Sequence, residues 1–141
     1  KKEENMEVVI GKMAGFCAGV ENAVKKAEEC IKEKGTVYCL GEIVHNKQVI
    51  EELEKKGMKT VETLEEVPNG STVIFRAHGE PEERYEEAKQ KRLEIKDLTC
   101  GNVTVIHRKV EKERDDSFIV ILGKKKHPEV IGTKGFAGKK S

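Results

Sequence analysis

Short apolar runs alternate along this chain with segments of helical periodicity, and a loop joins each run to the segment after it. Val37–Leu40 and Thr72–Phe75 are runs of strand length that are rich in β-branched and aromatic residues. Between them, Lys47–Lys56 has helical periodicity, follows the N-cap residue Asn46 and stops at Gly57. Strands that alternate with helices in this way are joined by right-handed crossovers in a parallel sheet. The sequence therefore predicts an α/β fold, a mainly parallel sheet with flanking helices.

The loops that follow the predicted strands carry side chains suited to binding and catalysis. In a parallel sheet these loops all emerge at the C-terminal edge, which is where ligands bind. Five loops fit this description, and their candidate residues are Cys17, His45, His78, Cys100, and the pair His127 and Glu129. The last loop follows a predicted strand at Phe118–Leu122. A single loop histidine is more often a solvated or capping residue than a ligand, but five loops of one kind favour a shared pocket.

The four cysteines fall into two groups by their surroundings. Cys17 lies between glycines, where the strand-like run Val8–Ile10 is followed by a helical pattern. The N-terminal end of a helix favours the thiolate, which is the form that binds metal. Cys100 has the same strand-to-helix setting. Cys30 and Cys39 follow the apolar pattern of a helix and of a strand, so we predict that both are buried core residues.

Composition and charge limit the cellular compartment in which we expect the protein and the class of partner that it binds. Charged residues make up 38% of the 141 residues, yet Lys and Glu are interleaved along helix faces and the net charge is +1, which argues against a nucleic-acid partner. The apolar runs are too short to span a bilayer, and Lys1–Glu4 lacks the apolar stretch of a signal peptide. We therefore expect a cytoplasmic protein without a membrane partner, whose cysteines are metal ligands, redox groups or core residues rather than disulfides.

Five segments of the chain stand out together as motifs. They are Gly15–Val20, Gly41–Asn46, Ala77–Gly79, Asp97–Cys100 and His127–Gly132. In this order and at these intervals they resemble the 4-hydroxy-3-methylbut-2-enyl diphosphate reductase family. Its members remove the hydroxyl of an allylic diphosphate to give isopentenyl and dimethylallyl diphosphate in the methylerythritol phosphate pathway. The resemblance implies a 4Fe-4S cluster and an electron donor such as ferredoxin or flavodoxin.

The resemblance also implies a role for each candidate residue. Cys17 and Cys100 match cluster ligands, and Glu129 matches the proton donor. The histidines that match the diphosphate-binding set are His45, His78 and His127. Members of the family have three similar α/β units, and their third cluster cysteine lies in a part that would follow Ser141. The resemblance therefore implies a complete first unit over residues 7–100, a partial second unit over residues 101–141, and no activity from this stretch alone.

Two other functions remain open from the residues. The first is a truncated, non-catalytic module that keeps the anion-binding histidines without a complete cluster. The second is a zinc protein that uses Cys17, Cys100 and two loop histidines, a ligand set that zinc accepts. The lack of a close CxxC-type pair argues against zinc. His107 lies inside a helical pattern, and we assign it to packing or to the surface.

Overall fold

The structure, a computed structural model, describes residues 18–138. Its helices and strands, in chain order, are α1 (Ala18–Lys34), β1 (Val37–Leu40), α2 (Lys47–Lys56), β2 (Met58–Val61), a 3₁₀ turn (Leu64–Glu66), β3 (Thr72–Phe75), α3 (Glu82–Gln90), β4 (Glu94–Asp97), α4 (Gly101–Glu113) and α5 (Pro128–Phe136). Within this range, no helix is both long enough and apolar enough to cross a membrane.

The four strands form one parallel sheet in the order β2-β1-β3-β4. The predicted α/β class with a parallel sheet is therefore confirmed. Because the strands are parallel, the loops after β1, β3 and β4 leave the sheet at one edge, and these three strands are direct neighbours. This order brings together the loops that carry His45, His78 and Cys100.

The core lies on both faces of the sheet, because successive strand residues point to opposite sides. Cys39 and Ile74 point to the face covered by α1 and α2, where they join one cluster of buried residues. Val73 and Phe75 point to the other face, where they pack with Ala88 of α3. The central strands β1 and β3 are thus buried on both faces, as is usual in parallel sheets.

Helix α2 has the bounds that its sequence predicts. The side chain of Asn46 accepts a hydrogen bond from the backbone N–H of Val49 at 3.2 Å, which satisfies one donor of the first turn. At the other end Gly57 has φ 126°, a value that side chains with a β-carbon rarely adopt. Local sequence therefore determines where this helix starts and stops.

The predicted strand at Phe118–Leu122 is wrong: the segment between α4 and α5 forms no strand. A strand needs a backbone partner, and the sheet of the described residues ends at β4 without pairing to this segment. Three of its apolar side chains are consequently exposed: Phe118 at 77%, Val120 at 69% and Leu122 at 93%. The predicted run Val8–Ile10 lies outside the described residues.

Candidate functional site

The loops after β3 and β4 are tied together by backbone hydrogen bonds. The N–H of Leu98 donates to the carbonyl of Phe75 at 2.9 Å, and the N–H of Cys100 donates to the carbonyl of Ala77, also at 2.9 Å. Cys100 is thus held beside the residue that precedes His78. The two loops extend the pairing of their strands past the end of the sheet, so their relative position is well defined.

His45 and His78 lie together at the C-terminal edge. Their ring centroids are 6.1 Å apart, with the planes tilted by 51°. The side chain of His45 is 83% exposed, and its Nδ1 is 3.7 Å from a carboxylate oxygen of Glu42. His78 is half-buried, and its Nδ1 is buried with no hydrogen-bond partner among the described residues. A buried polar atom without a partner is costly, and it marks a position where a ligand can bind.

The electrostatics of His78 link it to the last loop. Burial lowers the pKa of His78, and the neighbouring charge of Arg76 lowers it further. The carboxylate of Glu129 acts in the opposite direction and raises this pKa, while positive charge on His45 and His127 lowers it. All four groups are therefore close enough to His78 to influence its protonation.

His127 and Glu129 are positioned by the first turn of α5. His127 is the N-cap residue, and its Nδ1 accepts a hydrogen bond from the backbone N–H of Glu129 at 3.3 Å. Pro128 follows at the first helical position, where its missing N–H costs nothing. Both side chains are exposed. The start of α5 therefore fixes a histidine and a carboxylate two residues apart, and the charge of each acts on His78.

Arg76 and Glu80 also belong to this edge, although no sequence motif predicts them as site residues. The guanidinium of Arg76 lies directly against Gly41, which has φ 76° and precedes the His45 loop. It also pairs with Glu80 at 3.3 Å. Glu80 is buried, and burial raises its pKa, although Arg76 partly offsets this. Charged loop residues are usually solvated. The one indication of this ion pair in the sequence is that Arg76 and Glu80 lie four positions apart, on either side of His78.

The structure confirms the predicted burial of two of the cysteines. Cys30 and Cys39 are buried in the core, and burial raises the pKa of the Cys39 thiol to about 12 and that of Cys30 in the same direction. Both therefore stay protonated, which makes them poor metal ligands. Cys100 is half-buried and is the N-cap residue of α4. Cys17 lies outside the described residues.

Asp97 shapes the short loop that leads to Cys100. Its carboxylate accepts hydrogen bonds from the backbone N–H of Thr99 at 3.0 Å, from the Thr99 hydroxyl, and from the Tyr85 hydroxyl at 2.8 Å. Burial of the ring raises the pKa of Tyr85, and its hydrogen bond with Asp97 raises it further, so Tyr85 remains a donor. Three donors on one carboxylate hold the backbone that positions the thiol.

The described residues fit one part of an iron-sulfur site. Cys100 is a thiol at the ligand-binding edge, and thiolates are the usual ligands of such clusters. Between residues 18 and 138, no group of three or more His, Cys, Asp or Glu side chains is arranged to hold a metal ion. Cys100 thus fits as a single contributed ligand, and a zinc site built from Cys100 and two histidines is not formed within this range.

Comparison with known proteins points to one family. A family model described as LytB protein matches residues 8–141. A 4-hydroxy-3-methylbut-2-enyl diphosphate reductase from Clostridioides difficile (strain 630) is 44% identical over 133 residues, which cover 93% of this chain and 48% of that protein.

Two solved structures share the fold. The E-1-hydroxy-2-methyl-but-2-enyl-4-diphosphate reductase from Plasmodium falciparum matches with a TM-score of 0.85 at 39% identity, over 92% of this chain and 41% of that one. An (E)-4-hydroxy-3-methyl-but-2-enyl diphosphate reductase, described as the terminal enzyme of the non-mevalonate pathway, matches with a TM-score of 0.78 at 44% identity, over 92% and 46% of the two chains. The chain spans less than half the length of these relatives.

Proposed function

The chain belongs to the LytB protein family, and on that premise we propose that it forms the diphosphate-binding portion of a 4-hydroxy-3-methylbut-2-enyl diphosphate reductase. In this proposal His45, His78 and His127 bind the diphosphate, and Glu129 supplies a proton. The enzyme converts its allylic diphosphate to isopentenyl and dimethylallyl diphosphate in the methylerythritol phosphate pathway.

The observation that carries the proposal is the proximity of His45 and His78 at the C-terminal edge of the sheet. The rings of His45 and His78 are 6.1 Å apart, and the charges of His127 and Glu129 reach His78. A protonated imidazole donates a charge-assisted hydrogen bond to a phosphate oxygen, and several such donors around one site suit a ligand with several anionic oxygens. Arg76 adds a permanent positive charge beside them.

Glu129 supplies a proton to the departing hydroxyl. The reduction breaks one carbon–oxygen bond and consumes two electrons and two protons, and the oxygen leaves as water. Hydroxide is a poor leaving group, so a carboxylic acid within hydrogen-bond reach lowers the barrier by protonating it as the bond breaks. When bound, a 4Fe-4S cluster to which Cys17 and Cys100 would each contribute one ligand would supply the electrons.

The proposal extends to organisation, partners and location. Residues 7–100 form the first α/β unit, and residues 101–141 form part of a second. An electron donor such as ferredoxin or flavodoxin reduces the protein in the cytoplasm. The exposed apolar residues Phe118 and Leu122 are consistent with a second unit whose packing is incomplete within residues 18–138.

We expect His45→Asn and His78→Asn to weaken binding of inorganic pyrophosphate to the 141-residue chain. Each loses one charge-assisted contact, which is worth about 1.5 to 3 kcal/mol, or roughly tenfold to hundredfold in affinity. Isothermal titration calorimetry measures this directly. Lys55→Asn, which removes an exposed charge near the end of α2, is the matched control and should leave the affinity unchanged. Unaltered affinity in both histidine variants would contradict the assigned roles.

The same titration should depend on pH with a definite sign. Because the pKa of His78 is lowered in the free chain, its imidazole is neutral near pH 7, and the negative charge of a bound pyrophosphate raises that pKa. Affinity is then greatest below the pKa of the free chain and is lost as the pH rises through the pKa of the complex. The measurement is corrected for protonation of free pyrophosphate, and a pH-independent affinity would argue against a role for His78.

We also expect the 141-residue chain, purified without oxygen, to hold a 4Fe-4S cluster weakly or not at all. Thiolates dominate ligation of such clusters, and only Cys17 and Cys100 are assigned to the edge. Iron and sulfide analysis with visible absorption after desalting decides the point. A stable, stoichiometric cluster would contradict the expectation and would point to a further ligand or to cysteines shared by two copies.

A further inference from the structure

His107 is a buried titratable residue that the proposed site does not use. It lies on α4, is only 5% exposed, and its Nε2 is buried without a hydrogen-bond partner among the described residues. Burial also lowers its pKa, while the charge of Asp97 acts in the opposite direction. Burying a polar ring without a hydrogen-bond partner costs free energy. The packing contacts of His107 show what the ring does in this position.

The ring of His107 fills the space between two glycines that come from different segments. A β-carbon added at Gly79 would lie 2.5 Å from His107 Cε1, and one added at Gly132 would lie 3.4 Å from the same atom. Gly132 also approaches the Gly79 carbonyl so closely that its added β-carbon would be 3.0 Å from that oxygen. The loop after β3, helix α4 and helix α5 therefore meet at this ring.

Phe136 completes the contact from α5. Its ring stacks on His107 with centroids 4.5 Å apart and planes 26° from parallel. Gly132 and Phe136 are four residues apart, so they lie on the same face of α5 one turn from each other. Gly132, which has no side chain, leaves space for the imidazole of His107, and Phe136 covers its ring.

These contacts join the two segments that carry the proposed ligands. Gly79 follows His78 directly, and its φ of 79° defines the turn after that residue. Gly132 lies three residues after Glu129, so the first turn of α5 connects them rigidly. A change at the ring therefore changes the distance between His78 and the His127–Glu129 pair.

We propose that His107 is a positioning residue that sets the separation between the His78 loop and the first turn of α5. The inference rests on the proposed function, because that separation matters only if His78, His127 and Glu129 act on one ligand. A shorter side chain leaves a void between three segments, and close-packed interiors respond to such voids by shifting.

The test compares His107→Ala with Val37→Ala in the full 141-residue chain. Val37 is fully buried in the cluster on the α1 and α2 face, at the opposite end of the strands, so its variant loses core packing away from the site. Two quantities are measured: the affinity for inorganic pyrophosphate by calorimetry, and the titration of His78 by NMR. Denaturant unfolding measures how far each variant lowers stability.

We expect His107→Ala to weaken pyrophosphate binding roughly tenfold, which corresponds to one charge-assisted contact. It should also shift the titration of His78, because Glu129 acts on that group. Val37→Ala should change neither quantity despite its loss of stability. If both variants behave alike, or if His107→Ala alters neither quantity, the proposal is wrong.

Gly132→Ala keeps the proposal testable if His107→Ala does not fold. Alanine favours the helix relative to glycine, so a loss of affinity cannot come from a weaker α5. Its β-carbon should force α5 and the His78 loop apart, shift the His78 titration and weaken binding, and unchanged values would reject the proposal. If the unmodified chain binds no pyrophosphate, the proposed function fails. In that case the His78 titration by itself tests the positioning role of His107. A shift in His107→Ala or Gly132→Ala, with no shift in Val37→Ala, would support that role.

Discussion

Glu129→Gln should lower the turnover of a full-length reductase that carries this sequence by about 10²-fold to 10⁴-fold, the range for loss of a general acid. Glutamine keeps the size and polarity of the side chain but cannot donate a carboxylic proton. Affinity for the substrate should change little, because the phosphate donors remain. The measurement is product formation, alongside substrate affinity by calorimetry, on anaerobic protein whose cluster has been verified.

The comparison with His45→Asn makes this prediction specific. The histidine variant should raise the dissociation constant, whereas Glu129→Gln should reduce turnover at saturating substrate. Because the Glu129 carboxylate raises the pKa of His78, its loss also makes that histidine harder to protonate. Glu129→Gln also removes the repulsion between the Glu129 carboxylate and the diphosphate, which favours binding and so acts in the opposite direction. Turnover at the unmodified rate would mean that another group or a chain of waters supplies the proton.

Cys100→Ser should abolish both the cluster and the activity of the same full-length protein. Iron-sulfur clusters are held by thiolates, which a serine hydroxyl does not supply, and the remaining ligands cannot replace the lost thiolate. Iron and sulfide content after anaerobic reconstitution measures the loss separately from activity. Cys17→Ser is expected to have the same result.

Cys30→Ala and Cys39→Ala are the matched controls. Both thiols are buried and protonated, with the pKa of Cys39 raised to about 12, so these variants should keep the cluster. Each should cost about 1 kcal/mol of stability through lost packing, which chemical denaturation measures. Equal loss of cluster from all four variants would defeat the division of the cysteines into two groups.

Elements with strong local signals could be predicted from the sequence. The bounds of α2 follow from the N-cap residue Asn46 and from Gly57, and the burial of Cys30 and Cys39 follows from helical and strand periodicity. The strand at Phe118–Leu122 was wrongly predicted from the same kind of signal. A β-branched run has strand propensity, but a strand forms only where another strand offers backbone partners.

Residues that contact distant segments of the chain could not be identified from local sequence patterns in the same way. Arg76 resembles any solvated loop charge in sequence, yet its guanidinium lies against Gly41 and pairs with the buried Glu80. His107 was assigned to packing or to the surface, and the structure buries it between two glycines that are 53 positions apart in the numbering, Gly79 and Gly132. Such contacts depend on how α4, α5 and a loop pack together.

The sequence by itself determined the α/β class and the assignment of His45, His78 and Cys100 to loops after strands. Periodicity and capping act within one element, and parallel strands direct their loops to one edge. Only the tertiary structure decided that β1, β3 and β4 are neighbours, that α5 brings His127 and Glu129 within electrostatic reach of His78, and that no strand forms at Phe118–Leu122. These outcomes depend on the packing of side chains from distant segments, which no local pattern encodes.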